Sequence, residues 1–157
     1  MLSAAKNVRN AMLFNVLSYM SDKLLTVGNT VAALDELYIW LSNPTAIEYI
    51  RNCLKRVRKK ESAMLLASQN LEDFDQEGFR EMTKPLFSIP PHQFLFNAGS
   101  VNKKFYMDNL QLEPAEFELI RYPQRGVCLY KCGNERYLLE VHAPPYKEKL
   151  FGKAGGR

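Results

Sequence analysis

An α/β fold is predicted: a partial parallel sheet flanked by helices, with a β-hairpin towards the carboxyl end. Three short apolar runs, Thr30–Leu34, Ala63–Ala67 and Gln93–Asn97, alternate with stretches of helical spacing. Runs of this kind suit parallel strands covered by helices. The hairpin is predicted from Gly126–Lys131 and Arg136–Val141, which flank the turn residues Cys132-Gly133-Asn134. With 157 residues, 46% hydrophobic and 11% aromatic, the chain holds about one domain and enough apolar surface for a core.

The elements follow in order. Leu2, Ala5, Val8, Met12, Val16, Tyr19 and Met20 recur at helical spacing, so residues 2–25 are read as one amphipathic helix, punctuated by Gly28-Asn29. The first strand, Thr30–Leu34, is expected to be buried. Asn43-Pro44-Thr45 is a helix start, followed by Ile47, Ile50, Leu54 and Val57 on one stripe and basic residues at the end, where the helix dipole favours them. Residues 72–87 return to helical spacing through Phe74, Phe79 and Met82, with Pro85 weakening the last turn. After the third strand, Gly99-Ser100 is a helix-cap candidate, and 101–110 and 114–120 are two short helices, the second with Pro114 near its start. The end HAPPYKEKLFGKAGGR is Pro-, Lys- and Gly-rich, and residues 146–157 are expected to be a flexible tail.

Composition narrows the function classes. A net charge of +4 permits an acidic partner without demanding one. No segment reaches the roughly 18 apolar residues of a membrane span. Cys53, Cys128 and Cys132 are odd in number and lack paired metal-ligand spacing, which fits a reduced, cytoplasmic setting. His92 and His142 have no Ser or Cys partner by motif and are read as structural or surface residues.

In parallel α/β sheets ligands sit off the carboxyl ends of the strands. Those ends are Asp35-Glu36, Ser68-Gln69-Asn70 and Asn97-Ala98-Gly99. Asp35 is suited to hold Mg²⁺ through water against a triphosphate. Glu36 is suited to orient or deprotonate an attacking water. A neutral amide, Gln69, can hydrogen-bond a phosphate or that water without repelling it. A strand meeting solvent at a turn explains the acid pair equally well. The segment RNCLKRVRKK packs Arg51, Lys55, Arg56, Arg58, Lys59 and Lys60 into ten residues. It reads as a solvated helix end, as an arginine that reaches a neighbouring subunit's phosphate, or as contact with nucleic-acid phosphates, the least supported of the three.

Taken together, ALDELYIWL, a helix ending LKRVRKK, AMLLASQNLEDF, HQFLFNAG, LQLEPAEFELI and RGVCLYKCGNERYLLEVHAPP resemble the carboxyl-terminal half of the conjugal-transfer ATPases of type IV secretion systems, over roughly residues 5–150. The resemblance implies a RecA-like, Mg-dependent P-loop ATPase, commonly a hexamer at the inner face of a secretion channel. Its partners are then like copies or a complementing ATPase half, and secretion subunits. The location implied is cytoplasmic and peripheral to the inner membrane. Asp35 and Glu36 then occupy the Walker B positions, and Gln69 the phosphate-sensing strand end. Arg58-Lys59 match a basic motif facing the adjacent subunit, and Arg125-Gly126 a motif near the nucleotide. The departure is that no G-x-x-x-x-G-K-[ST] occurs in the sequence. Residues 1–145 are therefore expected to be the carboxyl-terminal portion of such a domain without its Walker A half. ATP and Mg²⁺ would be bound only with the missing half, and the chain alone would be inactive. The alternative is a non-catalytic module that docks on an intact transfer ATPase or on channel subunits.

Overall fold

The protein is described from a computed structural model covering residues 2–69, 74, 80–97, 103–122 and 124–152. Its residues form two compact units, 1–90 and 91–157. The boundary at Pro90-Pro91 falls inside the stretch 1–145 that the sequence reads as one portion.

The first unit opens with α1 (Leu2–Asp22), extended by a π-helical turn, Lys23–Val27. Leu17, Met20 and Leu24 on its inner side are buried. Gly28, at φ 80, ends the turn. A Cβ there would lie 2.8 Å from the Lys60 carbonyl oxygen, so the tight approach of the two segments needs glycine as well as its positive φ. The backbone N–H of Asn29 donates to that same oxygen at 2.8 Å.

Next, β1 (Val31–Leu34) pairs in parallel with β2 (Ala63–Leu66), in the register Val31 to Ala63 through Leu34 to Leu66. Between them run α2 (Tyr38–Leu41), α3 (Pro44–Arg56) and a 3-10 turn, Val57–Lys60. The Asn43 side chain accepts from the N–H groups of Thr45 and Ala46, and Pro44 occupies the first helical turn, as the sequence predicts. Ala46, Ile47, Ile50 and Cys53 turn this helix's inner face into core. Burial pushes the Cys53 thiol pKa up, partly offset by a hydrogen bond with Ser21 and the charge of Arg56.

The strands are not buried on both faces. Leu34 is in the core with Ala32, Met64 and Leu66 against it, whereas Val31, Ala33, Ala63 and Leu65 are exposed, Val31 by 73% and Leu65 by 58%. Two helices, α4 (Arg80–Thr83) and α5 (Pro85–Ser88), stand where the sequence predicts the latter part of one helix. Pro85 has no N–H to give, so the helical hydrogen-bond ladder is interrupted and the run restarts there. Residues 70–73 and 75–79, including Asn70 and Phe79, lie outside the described residues. The Phe74 ring meets that of Phe87 at 4.6 Å, and its carbonyl oxygen accepts from the buried Thr83 hydroxyl.

In the second unit β3 (His92–Leu95), β4 (Val127–Cys132) and β5 (Glu135–Glu140) form an antiparallel sheet in that order. This corrects the placement of the third apolar run. Among the described residues it joins the hairpin and not the parallel pair. Phe94 faces Tyr130, ring to ring at 4.7 Å, and Tyr130 faces Tyr137 at 6.1 Å. Such aromatic cross-strand rows stabilise antiparallel sheets, and an apolar run of four or five residues looks the same in either sheet.

Helices α6 (Lys103–Leu110) and α7 (Pro114–Ile120) follow β3, the latter opened by a capping box between Glu113 and Glu116. The Ser100 cap candidate lies outside the described residues. Lys131 is buried and its ammonium donates to the Leu110 carbonyl at the end of α6. Desolvation and nearby Arg136 lower its pKa, while Glu116 works the other way. The end expected to be flexible carries α8 (Pro145–Phe151).

The role of the Asn43 cap is measurable. Asn43→Ala leaves two N–H groups of α3 without their acceptor, and is expected to lower unfolding stability by about 1 kcal/mol. Denaturant midpoints at unchanged m-value check this; an unchanged midpoint rules out the cap as a determinant of α3.

Candidate functional site

The carboxyl ends of β1 and β2 build the site. Ladder hydrogen bonds continue one step past the strands: the Ala67 N–H donates to the Leu34 carbonyl at 2.9 Å, and the Leu37 N–H to the Ala67 carbonyl at 3.0 Å. Leu34 and Leu37 are both buried, at 7% and 2% exposure. The two acids between them are therefore held on a short arch whose feet stand in the core. Asp35 is exposed and Glu36 half-buried.

The arch is tight. Glu36 has φ 51, in the left-handed region, and its N–H is donated to Oδ1 of Asp35 at 2.9 Å. Its carbonyl accepts from the Ile39 N–H at 3.0 Å, which starts α2. A left-handed non-glycine residue costs of order 1 kcal/mol. Glycine would meet the backbone requirement with less strain, yet a carboxylate stands here.

Gln69 lies two residues beyond Ala67 on the neighbouring strand end. Its Nε2 donates to Oε1 of Glu36 at 2.7 Å, a short, charge-assisted bond at the surface. Asp35, Glu36 and Gln69 are thus brought together as the sequence predicts. Among the described residues Oδ2 of Asp35 and Oε2 of Glu36 take no hydrogen bond. The cluster offers two open carboxylate oxygens beside an amide anchored to one of the acids.

The other expected site residues lie elsewhere. Arg58 is exposed on the 3-10 turn leading into the amino end of β2. The strand's length, about 13 Å at about 3.3 Å per residue, separates that end from Gln69. Arg58 therefore does not share the carboxylate cluster of this chain. Arg125 is exposed before β4, in the second unit. The third strand end is occupied structurally: the Asn97 amide donates to the carbonyls of Ile120 at 3.1 Å and Arg121 at 2.8 Å. Sequence reading missed the bracketing of the acids by Leu34 and Leu37 and the left-handed turn at Glu36. The signal for the bracketing was present in the pattern Leu-Asp-Glu-Leu, two acids between apolar residues three apart.

The magnesium-and-water side of a nucleotide site fits these donors. Mg²⁺ keeps several waters and commonly needs only one or two protein carboxylates besides substrate phosphates, and Asp35 offers one open oxygen.

No protein-family profile matches the chain. Among curated proteins it is 33% identical over 81 residues to a probable TrbE conjugal transfer protein of Sinorhizobium fredii, an alignment covering 50% of this chain and 12% of the relative. It is 32% identical over 81 residues to the conjugal transfer protein TrbE of Rhizobium radiobacter, covering 50% of this chain and 10% of that protein. Among solved structures, VirB4 of Thermoanaerobacter pseudethanolicus superposes with a TM-score of 0.80 at 28% identity, over 90% of this chain and 39% of the other. The chain thus spans under half the length of each of these relatives.

The turn at Glu36 yields a test of whether its side chain serves folding. Glu36→Gly is expected to leave thermal stability unchanged or raised by up to about 1 kcal/mol, and Glu36→Val to lower it by about 1–2 kcal/mol. A clear loss of stability in Glu36→Gly would make the bond to Gln69 a structural clasp.

Proposed function

We propose that this chain, a relative of the TrbE and VirB4 proteins, is the carboxyl-side portion of the RecA-like ATPase domain of a conjugal-transfer, type IV secretion machine. The observation that carries the reading is the Glu36–Gln69 hydrogen bond across adjacent parallel strand ends, with Asp35 on the same arch.

Each residue has a task. The open oxygen of Asp35 would hold a magnesium ion through water. Oε2 of Glu36, left free by the bond from Gln69, accepts the proton of the attacking water. The Gln69 amide fixes the Glu36 carboxylate and presents a neutral donor beside the phosphate, where charge develops. Bound Mg-ATP supplies the transferable phosphoryl group and the cation that neutralises it. Arg58, at the far end of β2, acts only across a subunit boundary, as the hexamer of such ATPases would allow. The phosphate cradle comes from polypeptide outside these 157 residues, since no G-x-x-x-x-G-K-[ST] occurs within them.

A second reading has its own observation. The exposed apolar face of Val31, Ala33, Ala63 and Leu65 suits a non-catalytic module that docks on an intact transfer ATPase through that face.

Coexpression with a polypeptide carrying the phosphate-loop region of a TrbE protein separates the two. A complex that binds and hydrolyses Mg-ATP is expected, with Glu36→Gln lowering kcat about 10²–10⁴-fold while nucleotide binding persists. Equal turnover with Glu36→Gln removes Glu36 as the base. A stable complex that never hydrolyses ATP favours the docking module.

A further inference from the structure

The strand register of the second unit assembles side chains that sequence spacing leaves apart. His92 on β3 stands opposite Cys132 on β4, and Cys132 opposite Glu135 on β5. Residues paired across neighbouring strands share a face, with Cβ atoms about 5 Å apart. An imidazole, a thiol and a carboxylate thus form one row across all three strands. The Gly133 N–H donates to the Pro91 carbonyl at 3.0 Å, which pins the hairpin turn beside the start of β3 and keeps the row in register.

The next row along, Phe94, Tyr130 and Tyr137, holds these groups by hydrogen bonds. The Tyr130 hydroxyl lies 2.7 Å from Nδ1 of His92 and is also hydrogen-bonded with the Cys132 side chain. A hydroxyl has one hydrogen. With that hydrogen given to the Cys132 sulfur, its oxygen accepts from Nδ1–H of His92, the tautomer whose Nε2 carries a free lone pair. On the other side the Tyr137 hydroxyl donates to Oε2 of Glu135, which among the described residues leaves Oε1 open. Metal ligands commonly have such partners, one on the other ring nitrogen of a histidine and one on a carboxylate.

We infer that His92, Cys132 and Glu135 bind a zinc-class divalent cation on the open face of the antiparallel sheet. Thiolate and imidazole favour zinc over magnesium, so the metal of a nucleotide does not compete here. Three protein ligands leave the fourth tetrahedral position to water. Among the described residues no three such groups converge on one point before binding. His92 and Glu135 are exposed, and each has only to turn towards Cys132, half-buried between them, to close ligand bonds of about 2.0–2.3 Å. The thiol proton leaves to solvent as the sulfur binds. The cation then clasps β3 to the hairpin. The site is independent of the Asp35 cluster, which belongs to the first unit.

The test is a titration of the reduced full chain with Co²⁺, whose bond to a thiolate gives a near-ultraviolet charge-transfer band, followed by Zn²⁺ binding in competition with a chromophoric chelator. The parent is expected to develop the band, saturating at a single equivalent, and added zinc to abolish it. Cys132→Ser is expected to remove the band while far-ultraviolet circular dichroism stays unchanged. His92→Gln and Glu135→Gln, both at exposed positions, are each expected to weaken zinc binding by at least the about tenfold that loss of a ligand's supporting partner costs. His142→Gln, at the other histidine, is expected to bind as the parent does. No band in the parent, a band that survives Cys132→Ser, or zinc affinity unmoved by both His92→Gln and Glu135→Gln overturns the inference.

Discussion

The parallel pairing of β1 with β2 is the constraint on which the site depends. Because side chains alternate along a strand, the register Leu34 to Leu66 puts both leucines on the core side and sets where the chain leaves the sheet. A slip of one residue turns those leucines to water and the exposed set inward. It would also move Gln69 a residue's length away from Glu36. Apolar burial on one face thus fixes a polar contact, 2.7 Å long, that lies at the surface. The contact is too exposed to specify the fold by itself, since such bonds contribute modestly to stability. It is a consequence of the core, and that makes its residues free to serve chemistry.

What the sequence could reveal follows the same division. Elements defined by local rules were legible: the Asn43-Pro44 helix start, Pro114 opening α7, and the hairpin about Gly133-Asn134. So was the convergence of Asp35, Glu36 and Gln69, because parallel strands joined through helices end on the same side. The neighbours of Gln93–Leu95 were not legible. Its pairing with β4 rests on the match of Phe94 to Tyr130, more than thirty residues away, and an apolar run carries no label for its partner. The left-handed turn at Glu36 escaped for another reason. Glutamate is a residue that ordinarily avoids that conformation, so sequence reasoning has no cue for it.

The open side of the parallel pair bears on how such a chain works. Parallel sheets are almost always covered on both faces, whereas here Val31, Ala33, Ala63 and Leu65 meet solvent. Backbone groups on the outer edges of β1 and β2 invite a further strand. Further polypeptide that continued and roofed this sheet would satisfy both features, and the VirB4 chain, of which 39% is matched, is longer than this one. A strand added there would bring its own terminal loop beside Gln69, the place from which a phosphate-holding loop would complete the carboxylate cluster.

The two ends of the β1–β2 pair also carry opposite charge. Carboxylates crown the end where the strands finish, and lysines and arginines surround the turn where β2 begins. An anion is drawn to the second end and repelled by the first unless a cation offsets its charge. Separating the two by a strand's length keeps the carboxylates of this unit from opposing an anion at the basic turn.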